Sequence, residues 1–408
     1  MQKLIISAAL VCLTAVVATA GGYQVSVHGQ KQIGMGLIGT SLHMDASAAF
    51  FNPGGLAMMP QRLSILGGAS GIFASTAFQQ QQPSLYQAKT DNPTSTPFYF
   101  YAAARITDRL VGGIAVNTPY GSNLAWEEGW AGRFLIQDIS MRAITLQPTL
   151  SYRLTDQVSV GGGLVYVMGS VDMNRALPVQ GPDGEGYVNI SGNTTSFGFN
   201  AGIQYTGSGL GIGLSYRSRI DMEMEDADAL FTVPASLAAL FPAVNKAATS
   251  LPLPANLDMG VSYQLSPELM LGMSLNYVFW EAYDQLSFDF EQNTPSLPDS
   301  ENPREYSNTL IVRVGGEYQV NGRLTLRAGA YYDPSPANEN YFSPETPSLN
   351  NLAFSAGFSF HPLPNLSIDT SLLMIAGLEK DMMYAPENFG GTYRSSILVP
   401  GVGVSYGF

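Results

Sequence analysis

Apolar and polar residues alternate with a period of two over most of this chain. Leu269, Leu271, Met273, Leu275 and Tyr277 share one parity, while Gly272, Ser274 and Asn276 share the other. Leu324, Leu326, Ala328 and Ala330 alternate with Thr325, Arg327 and Gly329, and Leu352, Phe354, Ala356, Phe358 and Phe360 alternate with Ser355, Gly357 and Ser359. The last segment puts Leu398, Val402, Val404, Tyr406 and Phe408 on one face and stops on that aromatic residue. Such alternation belongs to strands with lipid on one side and water or protein on the other. The pattern predicts about fourteen strands, the even number expected of a bacterial barrel. The fold class is therefore all-β, a transmembrane antiparallel β-barrel over residues 61–408.

The connections divide into two sets. Thr107-Asp108-Arg109, Thr155-Asp156-Gln157, Gly207-Ser208, Ser266-Pro267-Glu268, Asn321-Gly322 and His361–Pro364 read as tight turns. Long connections are expected near 76–96, 120–140, 172–193, 221–254, 282–303, 334–350 and 377–391. Short turns on one side and long loops on the other are the asymmetry of an outer-membrane barrel. The connection 221–254 spaces Leu230, Val233, Leu237, Leu240, Phe241 and Val244 at near-helical intervals, with Pro234 placed for a first turn. That helix would either pack on neighbouring loops or offer a landing surface for an apolar ligand.

At the start, Lys3 precedes the apolar run Leu4–Val17 and the small-residue site Ala18-Thr19-Ala20, the pattern of a secretory signal over residues 1–20 cut after Ala20. Cys12 lies inside it, so the mature chain carries no thiol chemistry. Charged residues form only 12% of the chain, and its net charge of −13 argues against a nucleic-acid partner. Much of the acid, such as Asp221–Asp228, is expected in loops. Residues 21–60 are Gly-rich and weakly periodic, and a barrel of this size has room for them as an N-terminal hatch, or plug, inside the lumen.

Parity assigns Arg105, Arg153, Arg217, Arg219, Arg313, Glu317, Arg327, Asp258 and Asp369 to the interior, since a charge facing lipid at the midplane costs about 2–4 kcal/mol. They either brace the wall as ion pairs or include arginines that grip a carboxylate in bidentate fashion; Arg217, Arg313 and Arg327 are the candidates. His28, His43 and His361 are scattered, and no metal or catalytic constellation stands out, so no enzyme and no cofactor is expected. Gly34, Gly36 and Gly39 fit a dinucleotide fingerprint in spacing alone, without the strand before it that such a site needs. In the third strand, Gly113 and Asn117-Thr118-Pro119 remove side chain and ladder donor. Either the strand ends there or it bends.

The segments Gly34-Met35-Gly36-Leu37-Ile38-Gly39 and Asp45-Ala46-Ser47-Ala48-Ala49-Phe50-Phe51-Asn52-Pro53-Gly54-Gly55-Leu56 resemble the hatch of the FadL family of outer-membrane long-chain fatty-acid transporters. Gly54 stands where that family usually has Ala, which is expected to loosen the turn slightly. Thr118–Gly121, Trp130–Arg133, Gln147–Tyr152, Trp280, Leu324–Ala330 and Asp333–Pro336 extend the likeness over the mature chain. The resemblance implies passive uptake of long-chain fatty acids or similar hydrophobic molecules across the outer membrane of a Gram-negative bacterium. It further implies an inward kink of strand three that opens a side window. Ligand-binding residues are then expected at Arg217, Arg313, Arg327, Phe50, Phe51, Leu237 and Phe241, and gating residues at Gly34, Gly36, Asn52, Pro53, Gly54, Gly113, Asn117 and Pro119. Outer-membrane lipid, lipopolysaccharide and the barrel-assembly machinery are the expected partners. The alternatives are uptake of aromatic hydrocarbons, a general porin, or a surface adhesin.

Overall fold

The computed structural model describes residues 21–181 and 184–408; the expected signal segment at 1–20 lies outside them. Fourteen antiparallel spans close into one barrel. They are β1 (Leu63–Ser70 with Phe73–Gln80), β2 (Phe98–Arg105), β3 (Leu110–Ala125), β4 (Asp138–Arg153), β5 (Val158–Gly181), β6 (Gly184–Gly207) and β7 (Leu210–Arg217 with Ile220–Thr232). There follow β8 (Val244–Leu253 with Asn256–Gln264), β9 (Leu269–Val278 with Gln285–Phe290), β10 (Ser300–Pro303 with Thr309–Asn321), β11 (Leu324–Asp333), β12 (Asn351–Leu363), β13 (Leu366–Tyr384) and β14 (Phe389–Gly407). β14 pairs with β1 and removes the sheet edge. The terminal Phe408 seals the seam: its carbonyl accepts from Arg62 and Leu63, and its amide donates to Leu63.

The alternation read from sequence is the wall itself. Leu326, Phe354, Phe358, Phe360, Val402, Val404 and Phe408 face outward, while Thr325, Arg327, Ser355, Ser359 and Ser405 are buried inward. All six short turns fall where expected, at one end. The other end differs from expectation. Most of 172–193 is a long hairpin of β5 and β6, and 221–254 is largely strand, Ile220–Thr232 returning as Val244–Leu253. The expected helix there shrinks to a 3-10 turn at Ala235–Leu237, because two-residue alternation (Met222, Met224 inward; Glu223, Glu225 outward) governs this stretch and no buried face exists for a helix to fill. The acid of Asp221–Asp228 lies along the outer face of that strand rather than in a loop.

A second correction concerns Arg219, which is exposed and paired with Asp221 at 2.7 Å. β7 is interrupted after Arg217, where the Ser218 hydroxyl accepts from the Phe199 amide. This one-residue irregularity reverses the parity, so Ser218 and Ile220 point inward and Arg219 outward.

Inside the barrel sits the segment before β1. It contains two short helices, α1 (Gln30–Gly34) and α2 (Ala48–Phe51), and a 3-10 helix at Pro53–Met58. Its Ile33, Met35, Leu37, Ile38, Leu56 and Met59 are almost wholly buried.

Candidate functional site: a hatch, an apolar vestibule and a bent strand

Two kinds of contact hold the hatch to the wall. The first is close backbone approach. Gly36 has φ of +67°, and a Cβ there would lie 2.7 Å from the Val314 carbonyl oxygen. Gly34 lies against Gly357 of β12, and Gly113 on β3 faces Leu56. At Gly54 a Cβ would come within 2.8 Å of the Gly202 carbonyl oxygen, so the absent methyl group allows tight seating against β6 instead of loosening the turn.

The second is hydrogen bonding. The Asn52 side chain donates to Thr40 O (2.9 Å), Ile203 O (3.0 Å) and Gln204 Oε1 (3.1 Å), and accepts from the Gly54 amide (3.0 Å). The next residue, Pro53, opens the 3-10 helix. Arg153 donates to Ala57 O and Arg105 to Met59 O. Lys31 pairs with Asp45 at 2.9 Å inside the hatch and lies 3.9 Å from Asp369 of the wall.

Of the candidate arginines, Arg217 shares this work. Arg217 donates to Phe50 O (3.1 Å) and Gln147 Oε1 (3.0 Å), with its guanidinium 4.5 Å from the Phe50 ring centre. Arg327 forms an ion pair with Glu317 at 2.6 Å and donates to Ser359. Arg313 is buried, and its Nε has no hydrogen-bond partner. Phe50 and Phe51 meet edge to face at 5.3 Å within the hatch. Leu237 sits in the 3-10 turn at the β7–β8 hairpin tip, and Phe241 is buried against Phe231. These residues do not come together in a single site.

Above the hatch lies a narrow apolar pocket of about 70 Å³, which the sequence reading did not single out. Ile139, Met173, Ile190, Met222, Met224 and Leu253 form its walls, with Tyr23 of the hatch and Tyr120 of β3 at its base. The connection 334–350 folds inward over it. Glu345 lines the pocket and is gripped by Arg304 at 2.6 Å, both buried, and the Trp126 indole donates to Pro344 O at 3.2 Å. A larger cavity, about 610 Å³, shares Tyr23, Tyr120, Met141, Arg142, Ser170 and Thr346 with this pocket and reaches the wall at Ile72, Pro97 and Thr118.

That stretch of wall is irregular. The β2–β3 ladder ends at Tyr99 opposite Asn117. β3 bulges between Asn117 and Tyr120 and continues against β4. Asn117 is fully buried and donates to the Tyr101 hydroxyl at 3.0 Å. Of the two readings of Asn117-Thr118-Pro119, the strand bends; it does not end. The edge freed by the bend is taken by the hatch: Val25 donates to Pro119 O at 2.8 Å, and Gly121 donates to Tyr23 O at 3.1 Å.

Tyr23 is enclosed by Trp280 at 5.0 Å and Tyr283 at 5.7 Å, both edge-on, and its hydroxyl donates to Pro252 O. Burial pushes Tyr306 up to about 12 and Tyr23 and Tyr283 well above the ordinary tyrosine value, so this cluster stays neutral. Among the described residues no group of His, Cys, Asp and Glu is arranged to hold a metal.

Residues 11–408 match the family model described as outer membrane protein transport protein (OMPP1/FadL/TodX). Outer membrane protein P1 of Haemophilus influenzae is 25% identical over 68% of this chain, the match spanning 65% of that relative's length. The long-chain fatty acid transport protein of Salmonella typhi is 21% identical over 95% of both chains. Among solved structures, a FadL homologue of Pseudomonas aeruginosa superposes with a TM-score of 0.82 at 21% identity, covering 95% of this chain and all of that one. The toluene transporter TbuX of Ralstonia pickettii gives 0.71 at 17%, covering 93% and 98%. A closed fourteen-strand barrel with an internal N-terminal segment, matched over its length in this way, places the chain in the outer membrane as a member of the OMPP1/FadL/TodX family.

Proposed function

We propose that the protein is a passive channel for uptake of long-chain fatty acids or similar apolar molecules. The observation that carries this is that the two cavities adjoin across shared walls. The apolar pocket and the larger space beside the bent β3 share Tyr23 and Tyr120, and the hatch segment 21–27 forms part of the larger cavity's lining. An apolar chain first meets exposed Leu230, Leu240 and Val244 around the β7–β8 hairpin tip, near Leu237 and Phe241. It then enters the pocket, where each buried CH₂ contributes about 0.8 kcal/mol. Its arrival displaces Tyr23, breaks the Val25–Pro119 and Gly121–Tyr23 bonds, and frees the edge of β3. The ligand leaves sideways there, into the membrane, and removal of ligand on the far side provides the driving force.

Support for a carboxylate-bearing lipid comes from the Salmonella relative's name and from Arg313, whose buried Nε is a donor that no neighbour uses. Toluene transporters of the same fold keep aromatic hydrocarbons as the second reading. A water-filled porin fits poorly with a lumen whose hatch buries Ile33, Met35 and Leu37.

Val25→Cys with Gly121→Cys tests the mechanism, since a Cβ at Gly121 would lie 3.9 Å from Val25 Cγ2. The oxidised pair is expected to stop oleate uptake and the reduced pair to restore it; undiminished uptake by the oxidised protein would sink the route. Native mass spectrometry with oleate and toluene separates the two substrate readings by which one is retained and displaced.

A further inference from the structure

Asp333, the last residue of β11, ends in a carboxylate without an evident partner. Its Oδ1 is buried and makes no hydrogen bond, and among the described residues no Lys, Arg or His nitrogen lies within 4.0 Å of it. Arg313 acts on it only at longer range. A carboxylate in such a place is costly unless a cation meets it.

The Gly21 backbone lies beside it. An atom at its Cβ position would be 3.3 Å from Asp333 Oδ2 and 3.5 Å from Asn351 Nδ2, the residue paired with Asp333 across the β11–β12 ladder. Gly21 is also the residue that follows the processing site Ala18-Thr19-Ala20. Hydrolysis of the Ala20–Gly21 peptide bond puts the water's hydroxyl on the Ala20 carbonyl. It leaves an amine at Gly21 that is protonated at neutral pH, one bond from the Cα already beside the carboxylate.

We propose that Asp333, with Asn351 beside it, is the binding site for the α-ammonium group of the processed chain. The pairing locks the head of the hatch only after the signal segment is removed. The neighbouring residues suit this role. Gly21 has φ of +79° and Gly22 +47°, conformations that L side chains rarely adopt, and a Cβ on Gly22 would run into the Trp280 ring. The Gly22 amide donates to Ser348 Oγ at 3.0 Å, so the connection 334–350 holds the same head from above. With its ammonium anchored, Gly21 fixes the start of the strip that carries Tyr23 and Val25 to β3. Asp333 is thus a positioning residue for the lining of both cavities.

The inference rests on processing after Ala20 and is independent of what the channel carries. The test uses the detergent-purified protein from the outer membrane, acetylated with acetic anhydride at pH 8 and digested for mass spectrometry of its N-terminal peptide. Each rate is referred to the same protein unfolded by boiling in SDS. An ion-paired ammonium whose pKa is raised by one unit or more from its usual value near 8 loses reactivity about fivefold or more at pH 8. The native parent is expected to acetylate that much more slowly than the unfolded parent, Asp333→Asn to lose the protection, and Asp333→Asn with Asn351→Asp to regain it. Equal rates in native and unfolded parent would overturn the proposal even if the variants failed to fold. So would an N-terminal peptide that starts elsewhere than Gly21, an outcome that leaves the transport reading untouched.

Discussion

Below the bend in β3, hatch and wall meet through backbone packed on backbone and through buried hydrogen bonds; above it, the vestibule is lined by methionine, aliphatic and tyrosine side chains. The lower contact tolerates almost no displacement. Glycines on both partners let main chains touch, and each Asn52 bond has a fixed direction. The upper surface is adaptable, because Met141, Met173, Met222 and Met224 can re-pack around ligands of different shape. Between the two, the strip 23–25 is held by two backbone bonds to β3 and a tyrosine in an aromatic enclosure. On the proposed route the rigid half closes the channel, and the soft half accepts what passes.

The largest break in this comparison comes from the wall side. A Cβ at Gly329 of β11 would overlap the backbone of Met35 and Gly36, whereas Gly329 itself sits in an ordinary ladder with Gly315 and Ser355. Gly329→Val is therefore expected to leave a folded, heat-modifiable barrel from which α1 is driven out. Steady ion conductance in planar bilayers should appear where the parent shows little. A closed, quiet barrel would mean that close approach is not what seats the hatch.

Asn52→Ala should act in the same direction but less strongly. Asn52 is fully buried, and its loss leaves Thr40 O and Ile203 O without that donor, at about 1–3 kcal/mol for each group stranded away from water. Hydrogen exchange in residues 40–56 should accelerate, with the strands around them unaffected. In the soft half, Met222→Asp puts a carboxylate into an apolar pocket. A penalty of about 2 kcal/mol corresponds to roughly thirtyfold weaker oleate binding, measured by displacement in detergent, with the closed conductance unchanged.

The barrel was legible because lipid leaves no choice: one face of every spanning strand must be apolar, and Leu326, Phe358 and Val404 announce it. The hatch was legible by its residues but not by its contacts, since nothing near Gly54 in sequence reveals that Gly202 will lie against it. The vestibule was missed although its signal was present. In Met222-Glu223-Met224-Glu225 the acids suggested a loop, yet the alternation was that of a strand with its methionines turned inward. Arg219 went astray because a break of one residue reverses parity, and only the Ser218–Phe199 bond shows where the break falls. The arginines were placed inside correctly at 217, 313 and 327, but composition cannot say which are spent on the hatch. Hydrogen bonding divides them: Arg217 and Arg327 have partners, while the Nε of Arg313 is left over.

The smallest expected effect tests where the soft half begins. Leu240 is 38% exposed and Leu237 is half-buried at the β7–β8 tip, and neither lines the apolar pocket. Exposed substitutions of this kind usually change stability by no more than about 0.5 kcal/mol. Leu237→Ser with Leu240→Ser should therefore leave the barrel and its equilibrium oleate affinity as they are. If the tip is where a ligand first leaves water, removing that apolar surface lowers the capture rate, and uptake slows at low oleate while converging on the parent at high oleate. Identical uptake at all concentrations would move the start of the route inward, to the mouth framed by Phe288 and Glu345. Weakened equilibrium binding would instead extend the pocket outward to the tip, joining residues that the structure keeps apart.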